Sequence, residues 1–373
     1  MSVRAAARGW LALALLACVS AVQAAPYRIV GYVVDGPQAP SISPGKLDVV
    51  NFAFAQVDAA HRVFLPGATA PDTLRALTAL RARQPSLRIV LSIGGWGAGH
   101  FSEAVADAQA RKVFADSAIA LLRQYDLDGL DIDWEYPTLP GPGISHDPSD
   151  RRHFTLLLES LRQRLDAEGA ATSRHYLLTI AAAEGEFAQG LELARIAGSL
   201  DWINLMTYDF YGSLTPTTGH HAGLAPTAGA PAAARNAQAA VDEYLAAGVP
   251  ADKIHLGVAF YGRRFGDVAA ARDGLLQTFQ SDGGFISWRE IAEGPLTQKA
   301  WTRHWDAQAQ APWLWNAATH QLISYDDPQS LRAKIDYVAR KGLGGFMYWE
   351  YRQDRDEQLL DVLVQGRDAR PER

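Results

Sequence analysis

The stretch of this 373-residue chain with the most chemical content runs from Asp128 to Glu135 and reads DGLDIDWE. If it is a β-strand, successive side chains point to opposite faces, and Asp131, Asp133 and Glu135 share one face. Same-face neighbours on a strand lie about 6.5–7 Å apart, so the three carboxyl groups form a short row. In a low-dielectric site such a row cannot ionise freely, and a carboxyl group that keeps its proton near neutral pH can act as a general acid.

A solvated acidic edge strand and a metal site are the two other interpretations of this stretch. The opposite face carries Leu130, Ile132 and Trp134, and no basic residue interleaves with the carboxylates, which disfavours a solvated edge. Gly129 is in the wrong place for a twelve-residue calcium loop, and the ligand spacing of that loop is not met. The pattern therefore favours a buried strand with a catalytic row.

The composition indicates one large domain and a neutral ligand. Hydrophobic residues make up 48% of the chain, and its 10 Trp, 13 Tyr and 13 Phe residues suffice for a sizeable core. The formal net charge of −6 argues against a polyanion such as nucleic acid as a partner.

Residues 1–24 are expected to be a signal peptide outside the folded domain. Arg4 and Arg8 supply a basic segment, an apolar segment follows over residues 10–22, and the small-residue sequence VQA ends it. No later stretch approaches the about 20 apolar residues of a membrane span, so the mature chain is expected to be secreted or periplasmic. The sequence LLAC, which ends at Cys18, also resembles a bacterial lipoprotein box, and lipidation of Cys18 is the alternative to ordinary export.

Apolar segments of strand length alternate with helical patterns through the rest of the chain. The predicted strands cover residues 27–34, 49–55, 87–93, 128–135, 175–182, 202–208, 253–261 and 345–350. The predicted helices cover residues 73–83, 107–125, 150–167, 231–247, 328–342 and 354–364. Each strand is apolar nearly throughout, as a parallel strand covered on both faces should be.

Eight such strands with intervening helices predict an α/β fold, a (β/α)8 TIM barrel over residues 25–373. An open doubly wound sheet is the other candidate, and the lack of a Gly-rich phosphate-binding fingerprint after the first strand disfavours it. The alternation of strands and helices is interrupted at residues 263–323, between strand seven and the last crossover helix. This segment is too long for a loop. We expect this segment to fold as a small insertion subdomain. It contains five tryptophans: Trp288, Trp301, Trp305, Trp313 and Trp315.

In a (β/α)8 barrel the chemistry lies at the C-terminal ends of the strands. Aromatic and polar residues recur at this end of most predicted strands: Tyr32, Ser92, Trp96, Met206, Tyr208, Asp209, Arg263 and Trp349. Any one of them alone is best explained by core packing, but their joint recurrence indicates a binding site. Apolar faces with polar rims suit a sugar ring, whose C–H face stacks on an aromatic ring while its hydroxyl groups form hydrogen bonds.

The acidic stretch resembles the signature D-x-x-D-x-D-x-E of the family 18 glycoside hydrolases, the chitinase family, with Asp128, Asp131, Asp133 and Glu135 at the four fixed positions. Four further segments are similar to their counterparts in that family: SIGG at 92–95, MTYD at 206–209, FYGR at 260–263 and YDDP at 325–328. The resemblance covers nearly the whole mature chain. It implies a (β/α)8 barrel in which the insertion walls a substrate cleft.

The resemblance also implies a mechanism in which the substrate assists its own cleavage. Glu135 would protonate the glycosidic oxygen, and Asp133 would orient the substrate's acetamido group, whose oxygen attacks the anomeric carbon. Tyr208 would hydrogen-bond the same group. Asp131 would share a proton with Asp133, while Asp128 would be structural. Water attack would then give net retention, and neither a metal nor an organic cofactor is required.

Supporting contacts are implied for the residues around this row. Tyr32 and Ser92 would hold Asp131 by hydrogen bonds. Sugar contacts would come from the other strand-end residues: Trp349 as the floor of the subsite before the cut, Trp96 as a platform beyond it, and Asp209, Arg263 and Met206. His220 and His221 have no third ligand at a metal-ligand spacing, so we expect a loop role for them.

A secreted, monomeric chitinase acting on N-acetylglucosamine polymers or oligomers is the function that these features favour, because the insertion and its tryptophans suit a long β-1,4-linked chain. One alternative is the same chemistry on the chitobiose core of N-glycans or on peptidoglycan glycan strands. The other is a non-hydrolytic chitin-binding lectin. Lectins that share this barrel lack the acid, so the presence of Glu135 disfavours the lectin.

Overall fold

The computed structural model describes residues 27–36 and 41–369, so the predicted signal peptide and Cys18 lie outside the described residues. Within those two ranges no helix has both the length and the apolar character needed to cross a membrane. The strands are β1 (Arg28–Val34), β2 (Val49–Val57), β3 (Val63–Phe64), β4 (Arg88–Gly94), β5 (Gly129–Asp133), β6 (Leu177–Ala182), β7 (Trp202–Leu205), β8 (Ile254–Ala259), β9 (Tyr261–Gly266), β10 (Ser281–Ser287), β11 (Thr302–Asp306), β12 (Ala311–Asn316), β13 (Gln321–Tyr325) and β14 (Gly345–Trp349). The α-helices are α1 (Ala70–Ala79), α2 (Phe101–Val105), α3 (Ala108–Gln124), α4 (Asp150–Thr172), α5 (Leu193–Ile196), α6 (Ala237–Ala246), α7 (Trp288–Glu293), α8 (Pro328–Lys341) and α9 (Gln358–Asp368).

Eight parallel strands close into a barrel in the order β1, β2, β4, β5, β6, β7, β8 and β14, and β14 pairs back onto β1. The prediction of a (β/α)8 barrel is thereby confirmed. The connections are not uniform. The described part of the link between β1 and β2 has only a 3-10 turn at Pro44–Lys46, and the link between β6 and β7 has the single-turn helix α5.

The side chains of β5 and the residues just after it divide between two apolar layers. Leu130, Ile132 and Trp134 belong to the layer between the barrel and its helices, where Trp134 stacks on Phe101 with 5.3 Å between ring centroids. The carboxylates that alternate with these residues therefore face the barrel interior, as the alternation of a strand requires.

The segment between β8 and α8 forms a second, antiparallel sheet in the order β10, β9, β13, β12 and β11, which confirms the predicted insertion. It runs from Tyr261 to Tyr325 and includes helix α7. Trp288, Trp313 and Trp315 are only 5%, 9% and 4% exposed. Trp313 and Trp315 thus build the core of this sheet, whereas Trp288 packs in the layer between the barrel and its helices.

The barrel strands β5 and β7 end earlier than predicted, and this places key residues in loops at the mouth. β5 ends at Asp133 and β7 ends at Leu205. Glu135 and Tyr208 therefore lie just beyond the C-terminal ends of their strands. Loop residues at this end of a barrel are where catalytic groups are expected.

The helix predicted from residue 231 begins later, at Ala237. The Asn236 side chain accepts the backbone N–H of Ala239, so the start of α6 is set by this cap and not by the preceding proline. As a consequence the loop after β7 is longer than predicted, and it carries His221 to the barrel mouth.

Candidate active site

The first carboxylate of the acidic stretch, Asp128, closes the N-terminal end of β5, away from the row. It is 1% exposed, and its Oδ2 accepts the backbone N–H of Ile89 at 2.8 Å. The guanidinium groups of Arg88 and Arg174 lie 3.2 Å and 2.7 Å from its Oδ1, and that of Arg81 lies 3.7 Å from its Oδ2. A carboxylate surrounded by cations in this way is an anchor between neighbouring strands.

Asp131 is the deepest carboxylate of the row and is fully buried. Its Oδ2 accepts hydrogen bonds from the hydroxyl groups of Tyr32 and Ser92, both at 2.7 Å. Its Oδ1 accepts one from the hydroxyl of Thr179 at 2.6 Å and one from the amide of Asn204 at 3.2 Å. Burial raises the pKa of Asp131, and these four hydrogen bonds oppose the rise.

Asp133 has a different environment, with acidic neighbours where Asp131 has hydrogen-bond donors. It is 4% exposed, and within the described part of the chain its Oδ1 has no hydrogen-bond partner. Burial, and then the charges of Glu135 and Asp131, raise the pKa of Asp133 well above its usual value. Asp133 therefore keeps its proton to a higher pH than a free aspartic acid does.

The glycines of the SIGG segment allow β4 to approach the end of β5. Gly94 has a φ of +127°, and a Cβ atom placed on it would lie 2.0 Å from the carbonyl oxygen of Asp133. The backbone N–H of Gly95 donates to the same carbonyl at 2.9 Å. Any other residue at position 94 would push the strands apart at the point where the carboxylate row ends.

Glu135 lies at the mouth of the barrel and is partly exposed. Its pKa is raised to about 7, mainly by burial and also by the negative charge of Asp209, while hydrogen bonding to Tyr136 partly opposes the rise. A carboxyl group with this pKa donates a proton readily at neutral pH, and its conjugate base is available to take a proton back. Glu135 therefore has the properties of a general acid that later serves as a base.

Tyr208 faces the same carboxylates from the loop after β7. It is 9% exposed, and its hydroxyl lies 3.5 Å from the Sδ atom of Met347. Burial, with the charges of Asp133 and Asp209, raises the pKa of Tyr208 well above its usual value, so its hydroxyl remains a donor. Met206 is half-buried against the same interior cluster.

Asp209 connects the carboxylate row with the insertion sheet. Its Oδ2 accepts the hydroxyl of Tyr261 at 2.9 Å, and its Oδ1 accepts Nε of Arg263 at 2.8 Å. The Nδ1 atom of His221 lies 3.6 Å from Oδ1. Burial alone would raise the pKa of Asp209, but hydrogen bonding and charge from His221 and Arg263 outweigh it and lower the pKa. Asp209 thus stays an anion beside Glu135.

Aromatic rings flank this site on separate sides of the mouth. Trp349, partly exposed at the end of β14, stacks on Phe54 with 5.5 Å between ring centroids, and Tyr32 lies 5.7 Å away. Trp96, which follows β4, is 60% exposed and packs its edge on Tyr136 at 6.3 Å. Both tryptophans offer an apolar face to a ligand above the carboxylates.

The site residues predicted from the sequence lie in the barrel interior or at its mouth, except Arg263, which is on β9 of the insertion sheet and contacts Asp209 from there. The structure adds further residues to the site. Thr179 and Asn204 bind the deepest carboxylate. Phe54 backs the tryptophan of the last barrel strand. Tyr261 and His221 hold the aspartate of the MTYD segment. Inward-facing polar residues on β6 and β7 were a signal for the first two, whereas the others depend on contacts between distant segments.

The fold and the carboxylate row at its mouth are those of a glycoside hydrolase. Residues 28–354 match the family described as glycosyl hydrolases family 18. The chain therefore belongs to glycosyl hydrolase family 18.

Known relatives extend this assignment. The chain is 41% identical over 306 residues to chitinase A1 of Niallia circulans, an alignment that covers 78% of this chain and 44% of that protein. The chain thus spans less than half the length of this relative. A glycoside hydrolase family 18 N-acetylglucosaminidase from Paenibacillus barengoltzii has a similar structure, with a TM-score of 0.86, 40% identity and coverage of 91% of this chain and 99% of that one. A class V chitinase from Nicotiana tobaccum in complex with NAG4 gives a TM-score of 0.82 at 28% identity, covering 91% and 98% of the two chains.

Proposed function

We propose that this chain is a chitinase that hydrolyses β-1,4 linkages of N-acetylglucosamine polymers and oligomers by a retaining, substrate-assisted mechanism. The single observation that carries the proposal is the carboxylate row, in which buried Asp131 and Asp133 lead to Glu135 at an aromatic-lined mouth. Similarity to chitinase A1 and to a chitinase with bound NAG4 supports the substrate class.

Glu135 is the general acid of the proposed reaction. With a pKa of about 7 it donates its proton to the glycosidic oxygen, so the bond to the leaving sugar breaks without an alkoxide being released. Asp209, held as an anion by Tyr261 and Arg263, favours the protonated form of Glu135 before the reaction.

The substrate's acetamido group is the nucleophile. As the glycosidic bond breaks, the carbonyl oxygen of this group attacks the anomeric carbon and forms a cyclic oxazolinium ion, whose positive charge lies next to Asp133. Asp133 accepts the N–H of the group and stabilises that charge, while the hydroxyl of Tyr208 positions its oxygen. The pKa of Asp133, raised by burial and neighbouring charge, falls as this cation develops. Asp133 passes its proton to Asp131 and is therefore a carboxylate when it accepts the N–H.

Hydrolysis of the intermediate completes the proposed cycle. Glu135, now a carboxylate, takes a proton from a water molecule that attacks the anomeric carbon from the side of the departed sugar. The oxazolinium ring opens, the acetamido group is restored, and the product keeps the configuration of the substrate. Glu135 returns to its protonated state.

A second candidate function is an N-acetylglucosaminidase that releases single sugars from chain ends. The observation that favours it is the similarity to the Paenibacillus N-acetylglucosaminidase, which this chain covers almost completely. N-glycan chitobiose cores and peptidoglycan strands remain alternative substrates for the same chemistry. A lectin is disfavoured because Glu135 occupies the acid position.

We also infer that residues 1–24 direct export, by an ordinary signal peptide or by lipidation at Cys18, and that the mature chain acts outside the cytoplasm as a monomer. Mass spectrometry of the protein produced with this segment separates the two routes. A mature chain that starts after residue 24 supports the signal peptide, and a lipidated Cys18 supports the lipoprotein.

The experiment that tests the catalytic proposal is a product profile. The purified protein is incubated with N-acetylglucosamine oligomers, colloidal chitin, an N-glycosylated protein and peptidoglycan. Release of disaccharides and longer fragments from chitin and its oligomers supports a chitinase, and release of monosaccharide alone supports the N-acetylglucosaminidase. Activity confined to glycoprotein or peptidoglycan would contradict the proposed substrate, and binding without any product would support a lectin.

A further inference from the structure

Phe285 on β10 is the most exposed aromatic residue of the insertion sheet within the described residues. It is 56% exposed, whereas Trp288, Trp313 and Trp315 of the same segment are buried. A single exposed apolar residue is common on protein surfaces and by itself indicates nothing. Phe285, however, is fixed by contacts with neighbouring side chains.

The guanidinium group of Arg263 covers one side of the Phe285 ring, with 3.9 Å between its carbon and the ring centroid. The ring of Tyr261 meets it nearly at right angles at 5.3 Å. Arg263 and Tyr261 both bind Asp209, which in turn influences the pKa of Glu135. Phe285 is therefore held in place by the same two side chains that hold the aspartate beside the proposed acid.

The backbone before Phe285 is shaped to direct this side chain. The pairing of β10 with β9 shifts register between Asp282 and Gly284, immediately before the phenylalanine. The guanidinium group of Arg264 donates to the carbonyl oxygens of Gly283 and Phe285 and fixes this irregular turn of the strand. Bulges of this kind re-aim side chains and are frequent beside active sites.

The position of the ring in the barrel indicates which part of a substrate it would meet. β9 continues directly from β8, and β8 pairs with β14, the strand that ends in Trp349. Trp96 follows β4, which is separated from β8 by β5, β6 and β7. By strand order, Phe285 thus belongs to the same side of the barrel as Trp349, the proposed floor of the subsite before the cut, and Trp96 belongs to the other side.

We propose that Phe285 determines substrate length by stacking on the third N-acetylglucosamine unit, counted from the cleaved bond toward the non-reducing end. The exposed face of the Phe285 ring stacks on the C–H face of that sugar, while Arg263 covers the other face and holds the ring in position. This inference rests on the proposed function, since it assumes that oligomers of N-acetylglucosamine are the substrates.

The test uses fluorogenic 4-methylumbelliferyl glycosides of the N-acetylglucosamine dimer and trimer. Their leaving group is the same, so the third sugar extends the substrate only on the non-reducing side. The kcat/KM values of both substrates are measured for the wild type, Phe285→Ala, Phe285→Leu and Phe285→Trp. Leu296→Ala, at a 36% exposed position of the same insertion, is the matched control.

We expect the wild type to prefer the trimer, and Phe285→Ala and Phe285→Leu to lose at least fivefold in the ratio of trimer to dimer kcat/KM. Phe285→Trp should keep the preference, and Leu296→Ala should leave both values unchanged. An equal loss on both substrates would overturn the inference, because Phe285 would then act through Arg263 on the catalytic centre. An unchanged ratio would overturn it as well. A wild type that cleaves neither glycoside would contradict the proposed function itself, which is a distinguishable result.

Discussion

The two ends of β5 carry the same kind of side chain in opposite environments. At the N-terminal end, Asp128 is surrounded by Arg81, Arg88 and Arg174 and accepts a backbone hydrogen bond. At the C-terminal end, Asp133 is surrounded by other acidic groups, and its Oδ1 has no partner within the described residues. Asp128 thus has cationic neighbours, whereas Asp133 has acidic ones.

This difference fits the proposal that one strand provides both an anchor and an active site. Asp128 is held by three guanidinium groups and a backbone N–H, so its contacts fix the start of β5. A buried carboxylate among other acids holds a proton to higher pH, and it is stabilised when a positive charge develops beside it. The cationic intermediate proposed for the substrate supplies that charge.

Replacing the proposed acid should have the largest effect on activity. Glu135→Gln keeps the shape of the side chain but removes the transferable proton, so we expect kcat to fall by about 10²–10⁴-fold, or about 3–5 kcal/mol. Binding of the N-acetylglucosamine tetramer, measured by calorimetry, should be retained. Residual activity above roughly a tenth of the wild type would show that another group is the acid.

The same conservative change at the other end of β5 should act on stability alone. Asp128→Asn removes the charge that pairs with three arginines, and we expect the free energy of unfolding to fall by about 2 kcal/mol, the usual scale for a hydrogen bond to a charged group. Denaturant unfolding and kcat/KM at low temperature measure the two quantities. A large loss of kcat/KM in the folded variant would mean that Asp128 belongs to the catalytic row.

Trp349 tests whether the aromatic mouth serves the substrate or the core. The ring is partly exposed and stacks on Phe54, so Trp349→Ala should lower kcat/KM at least tenfold, about 1.4 kcal/mol, with a small change in melting temperature. Trp315→Ala, at a 4% exposed position of the insertion, is the contrasting control and should lose mainly stability. Strong destabilisation by Trp349→Ala with unchanged kcat/KM would place Trp349 in the core.

A smaller effect is expected on stability as a function of pH. The pKa of Glu135 is raised from 4.5 to about 7 in the folded protein, so the folded state binds more protons between these values and the wild type loses stability as the pH rises through that window. Glu135→Gln lacks this loss. Its melting temperature should therefore exceed that of the wild type by a few degrees near pH 8, and the excess should vanish near pH 4. Equal melting temperatures at both pH values would argue against the raised pKa.

The order of strands and the inward direction of Asp131 and Asp133 could be predicted from the sequence, because period-two alternation and apolar runs are local signals. The partners of these groups could not. Thr179 and Asn204 come from β6 and β7, and their contact with Asp131 depends on how the barrel closes. The same holds for His221 beside Asp209, because the sequence pattern does not show how the long loop after β7 folds back.

The insertion shows a second limit of sequence patterns. Its tryptophans pointed to sugar binding, but a tryptophan is equally suited to a core. Trp313 and Trp315 pack in the core of the small sheet, and Trp288 packs in the layer between the barrel and its helices. The exposed ring of the segment is Phe285, on a strand whose alternation is interrupted by a bulge. Which residue faces outward after a bulge cannot be read from periodicity alone.

The most direct test of the central claim, that the uncompensated end of β5 is catalytic and Glu135 is its acid, is the pH dependence of kcat/KM for the wild type on N-acetylglucosamine oligomers. This profile reports the pKa values of the free enzyme. With Glu135 at about 7, kcat/KM should fall above neutral pH and approach a tenfold decrease for each further pH unit. A profile that stays flat up to pH 9, or one that already falls above the ordinary glutamate value of 4.5, would contradict the account.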